Sequence, residues 1–165
     1  LSSALTKFDK QNKTMRYVIL FASVLLFCTA CKKDKFTTAP QIKYKSLSHN
    51  LVDLSPTSAV PVFTLHITDA EGDLGINGND VAWVYMKNLL TNTFDSVPFP
   101  DLQRAAKKNF EADIDVTIDK VLRCRSLPGN PLHTDTLFFE FYVKDFAKNK
   151  SNVITTPEPV YFICF

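Results

Sequence analysis

From residue 41 onward the apolar positions recur every second residue, the period of a strand with one face buried. Ile42 and Tyr44 alternate with Lys43 and Lys45, and Phe63, Leu65 and Ile67 with Thr64, His66 and Thr68. The cleanest run is Phe110, Ala112, Ile114, Val116 and Ile118, interleaved with Glu111, Asp113, Asp115, Thr117 and Asp119. Leu137, Phe139, Phe141 and Val143 share a further face. Val81 to Leu90 and Phe94 to Val97 flank the turn-like Thr91-Asn92-Thr93. Val153 to Thr155 and Val160 to Ile163 are separated by Pro157 and Pro159, which suit an edge or a strand break. Only Asp101 to Asn109 suggests a helix, about two turns long with Asp101 as its cap. About seven short strands joined by turn residues predict an all-β chain, an antiparallel sandwich over residues 41–165. Trp83 and Tyr85 share a face of their strand, and a sandwich commonly seats such a tryptophan between its sheets, so this face is expected in the core. Exposed, it would form a platform for a sugar or a protein.

The first forty residues follow another pattern. Leu1 to Thr14 precede Met15 and read as an upstream segment. Arg16, the apolar run Val18 to Phe27 and the small pair Thr29-Ala30 follow the order of a secretory signal over residues 15–30. The apolar run is shorter than the roughly 20 residues that a spanning helix needs. Thr29-Ala30-Cys31 resembles the lipobox of bacterial lipoproteins, with Cys28 where an aliphatic residue is usual. That resemblance implies a diacylglycerol on Cys31, an anchor in the lipid membrane, and a polar tether through Pro40.

Length and charge narrow the remainder. A chain of 165 residues with 45% hydrophobic content holds one domain with appendages. Its net charge of +2 belongs to the leader, where Lys7, Lys10, Lys13 and Arg16 outnumber Asp9. From Cys31 onward 15 basic residues face 16 acidic ones, which gives no footprint for nucleic acid. Beyond Cys28 and Cys31 the cysteines are Cys124 and Cys164. In an oxidising compartment they can pair, or they stand as two independent thiols.

Chemical content concentrates in one segment, Asp69-Ala70-Glu71-Gly72-Asp73-Leu74-Gly75-Ile76-Asn77-Gly78-Asn79-Asp80. Asp69, Glu71, Asp73 and Asp80 are spaced among glycines that allow tight turns, a composition suited to calcium, which takes six to eight oxygens. The EF-hand template does not fit, because its sixth-position glycine would be Leu74 and its last glutamate Asp80. Asp, Asn and Gly are equally the residues of a solvated turn. In an immunoglobulin-like sandwich this segment would be the connection between the second and third strands, and Asp145 to Asn152 that between the last two. Those loops share one end, so Asp145 is expected near Asp69, Glu71 and Asp73. Lys148 and Lys150 offer a metal-free way to neutralise the acids.

The lipobox, the acidic-glycine segment and Val143-Lys144-Asp145 with Asn149-Lys150-Ser151-Asn152-Val153 and Thr156-Pro157 together resemble small Bacteroidetes-type lipoproteins with immunoglobulin-like domains. The resemblance implies a membrane-tethered sandwich at the cell envelope or outer membrane, on either side of it, and no catalytic residue. The residues agree with a non-catalytic reading. His49, His66 and His133 have no metal-ligand spacing, and no nucleophile elbow or phosphate loop is present. Asp113 and Asp115 read as a solvated sheet face. The expected function is a binding module for an unknown protein or glycan, with a structural subunit of an envelope complex as the alternative.

Overall fold

The computed structural model describes residues 35–55, 57–101 and 108–164. The expected signal, Cys31 and most of the expected helix (102–107) lie outside the described residues. The described chain is all-β, without a helix.

Two antiparallel sheets pack face to face. In the first, β3 (Val62–Asp69) lies between β1 (Gln41–Leu47) and β8 (Phe110–Thr117). In the second, β6 (Trp83–Asn88) and β10 (Phe139–Lys144) are central, with β7 (Phe94–Pro98) and β11 (Ile154–Thr155) at the edges. A third ladder sets β12 (Val160–Cys164) antiparallel to β9 (His133–Leu137) and parallel to β2 (Leu51–Asp53). The alternation carries this arrangement. Phe63, Leu65, Ile67, Phe139, Phe141 and Val143 are fully buried, and Phe63 bridges the sheets at 5.7 Å from Phe139 and 5.2 Å from Phe141, ring centre to centre. Pro157 and Pro159 separate β11 from β12 as expected. Asn88 closes the β6–β7 turn, its Oδ1 accepting the Leu90 and Thr91 N–H groups.

Trp83 corrects an expectation. Val84, Met86 and Asn88 fill the inner side of β6, so Trp83 and Tyr85 face outward and are half-buried. Both faces of this strand are apolar, so its sequence carries no phase.

The outer face of the first sheet is an ion network. His66 contacts Asp113 at 2.9 Å and Glu111 at 3.2 Å, Lys35 pairs with Glu111, and Lys45 pairs with Asp113. Asp115 accepts from Thr64 Oγ1 at 2.8 Å. The Lys35 and Lys45 hydrogen bonds, followed by smaller contributions from His66, hold the Glu111 and Asp113 carboxyls below their usual range. A carboxyl lowered in this way contributes stability above its unfolded pKa and loses it as pH falls through the folded one. Lys45→Ala is expected to raise the Asp113 midpoint and leave Glu111 in place, read by carboxyl NMR titration. An unmoved Asp113 midpoint would mean that solvent screens the pair completely.

Candidate metal centre

Two turns build the site. β3 ends at Asp69, whose Oδ2 accepts the Gly72 N–H at 2.5 Å and folds the chain back. Gly72 has φ +70°, in the left-handed region that a glycine occupies without a Cβ penalty. On the other side β10 ends at Lys144, and Asp145 Oδ1 accepts the Asn149 N–H at 2.7 Å while its Oδ2 accepts Asn149 Nδ2 at 2.9 Å. Lys148, also left-handed, donates its N–H to the Asp145 carbonyl at 3.1 Å. The turns are joined directly: Phe146 N–H donates to the Asp73 carbonyl at 3.1 Å, and Ala147 N–H to Asp73 Oδ2 at 3.3 Å.

Asp69, Asp73 and Asp145 thereby converge, with one carboxylate oxygen of each within 4.8 Å of the others. Asp69 and Asp145 are fully buried. Asp69 Oδ1 and Asp73 Oδ1 are buried and accept no hydrogen bond. Burial pushes the Asp69 carboxyl up to about 6, opposed by the Gly72 N–H and reinforced by the charges of Asp73 and Glu71. Asp145 is raised as well, by burial first, with the two Asn149 bonds holding it down and Asp73 and Glu71 adding to the rise.

No ion pair joins these acids to a cation among the described residues. Lys150 instead lies 4.1 Å over the Tyr142 ring, and Lys144 5.4 Å over that of Tyr85. Glu71 is exposed at the rim of the cluster, near enough to act through its charge. Asp80 stands apart. The segment folds into a small hairpin, β4 (Ile76–Asn77) on β5 (Asp80–Val81), which leaves Asp80 exposed and outside the three-carboxylate group. Three converging carboxylates, two of them with a buried oxygen that has no hydrogen-bond partner, are the donor type that a hard cation takes.

Two further features lie outside this centre. Tyr85 and Tyr142 pair across β6 and β10 with rings 4.6 Å apart and 7° from parallel, and Phe94 stacks beside them at 5.9 Å from Tyr85. Each tyrosine covers a face of the other, so this outward patch offers ring edges and the half-exposed Phe94. Cys124 and Cys164 are joined as a disulfide with Cα atoms 5.9 Å apart. Beside them His133 lies on β9, two residues from the buried Asp135. The signal was the His-x-Asp spacing, which puts both side chains on one strand face. Comparison of the chain with known protein families, curated proteins and solved structures found no match.

Proposed function

We propose that the chain is a lipoprotein of the cell envelope, held in the membrane by a diacylglycerol on Cys31, and that its sandwich is a non-catalytic interaction module stabilised by calcium. The anchor rests on Thr29-Ala30-Cys31 after the apolar run Val18 to Phe27. The calcium reading rests on one observation above all, the pair of buried, unpartnered oxygens on Asp69 and Asp73 facing Asp145. Calcium accepts irregular oxygen sets completed by water, which suits two turns that bring three carboxylates together. Binding there ties the turn after β3 to the turn after β10 and rigidifies one end of the domain. The partner surface is the outward aromatic face of Trp83, Tyr85, Phe94 and Tyr142, and its edge-on rings beside lysines favour a protein partner over a stacked sugar.

Titration calorimetry of metal-stripped protein tests the calcium reading. One calcium is expected to bind with a dissociation constant of about 10⁻⁴ M or tighter. Asp145→Ala is expected to abolish it, and Asp80→Ala to leave it unchanged. Absence of binding at millimolar calcium would overturn the assignment.

A further inference from the structure

We propose that Cys124, His133, Asp135 and Cys164 form a zinc site that becomes available when the disulfide is reduced. The residues belong to a different ladder from the calcium site and the proposal does not depend on it. His133 pairs with Cys164 in the β9–β12 register. One ligand atom each from His133, Asp135 and Cys164 lies within 4.8 Å of the others, and Cys124 Sγ is bonded to Cys164 Sγ. Two thiolates, an imidazole and a carboxylate are a ligand set that four-coordinate zinc accepts.

The tautomer of His133 carries the argument. Its Nδ1 lies 2.8 Å from the Pro131 carbonyl oxygen, which can only accept, so Nδ1 carries the hydrogen. In the neutral ring Nε2 is then an acceptor, and it lies 3.6 Å from Asp135 Oδ1. Both atoms are buried and neither has a hydrogen-bond partner. Two buried acceptors that face each other call for a positive centre between them, a proton or a metal ion. A histidine whose Nδ1–H is held by a carbonyl is the usual form of a metal ligand. Asp135 is 1% exposed, fixed through Oδ2 by the Arg125 N–H at 2.6 Å. Zinc with two thiolates and one carboxylate carries a net charge of −1, which the Arg125 guanidinium, 3.5 Å from Asp135 Oδ1, offsets.

An open cleft of about 400 Å³ gives access, lined by both cysteines, Arg123, Arg125, Asn130 and His133. Cys124 is only partly buried while Cys164 is 1% exposed, so an attacking thiolate meets Cys124 Sγ. The reductant is a dithiol. Its first sulfur bonds to Cys124 Sγ as the S–S bond breaks and Cys164 leaves as thiolate. Its second sulfur displaces Cys124, so the reagent departs as a disulfide. Two protons pass to solvent as zinc takes both thiolates.

The test uses the full chain with Cys28→Ser and Cys31→Ser, reduced by a phosphine and titrated with Co²⁺ and then Zn²⁺. The reduced protein is expected to take up one Co²⁺ with a thiolate charge-transfer band and tetrahedral absorption, both removed by zinc. The disulfide form is expected to show neither. His133→Ala and Asp135→Asn are each expected to weaken zinc binding by about tenfold or more. Far-UV circular dichroism follows the fold throughout. A reduced protein without the band overturns the proposal. So do a band of unchanged affinity in His133→Ala, equal zinc affinity in the disulfide form, and a reduced chain that unfolds and that zinc does not refold.

Discussion

In chelator Asp69→Asn is expected to melt above the parent protein, and in excess calcium below it. The reversal follows from one side chain serving two states. Without metal, Asp69 is fully buried beside Asp73 and Glu71, and its carboxyl is raised from 3.8 to about 6. A group with a raised folded pKa contributes its stability below the unfolded value and loses it as pH rises through the folded one. At pH 7.5 the metal-free protein therefore bears a penalty on the order of 2–3 kcal/mol. Asparagine keeps the size and an oxygen for the Gly72 N–H, and removes the charge. On the proposed reading the same charge holds calcium, so the variant is expected to give up calcium's contribution. The metal-free parent should also gain stability as pH falls from 7 towards 4, a gain that Asp69→Asn cuts back to the part due to the raised Asp145 carboxyl. Thermal unfolding in the two buffers checks both statements, and an equal loss in chelator and in calcium would mean that Asp69 only holds the turn.

Removing the disulfide through Cys124→Ala with Cys164→Ala is expected to lower stability by about 4 kcal/mol, the loop-closure value for cysteines 40 residues apart. For a domain of this size the melting midpoint falls by roughly 12 °C. Alanine is preferred to serine because Cys164 is buried, where a hydroxyl would add a polar group to the core. The enclosed segment holds β9, β10, β11 and β12, strands from two ladders, so the crosslink restricts much of the unfolded chain. A loss below about 1 kcal/mol would mean that β2 and β9 hold β12 without covalent help.

How much was legible varies with the kind of residue. β3, β8 and β10 could be read because polar and apolar positions alternate there, and burial follows that alternation except at the end of β3, where Thr68 and Asp69 are buried as well. β6 could not be phased, because Trp83 and Tyr85 on one face and Val84 and Met86 on the other are all apolar. β2 is three residues long and is recognised only through its parallel partner β12, far along the chain. Within the site, Asp69, Asp73 and Asp145 could be brought together on paper because loops at one end of a sandwich meet. Asp80 belongs by spacing and is removed by geometry, since the β4–β5 hairpin turns it outward. The cysteine pair stayed open, because separation along the chain carries no information on Cα distance.

The parallel pairing of β2 with β12 has a mechanical consequence. A pull between the N-terminal side of β2 and the C-terminal end of β12 slides these strands past one another, so Tyr161–Leu51, Phe162–Val52 and Ile163–Asp53 bear the load together. Antiparallel strands pulled from their open ends would instead unzip, each hydrogen bond breaking in turn. The Cys124–Cys164 link anchors the end of β12 against peeling.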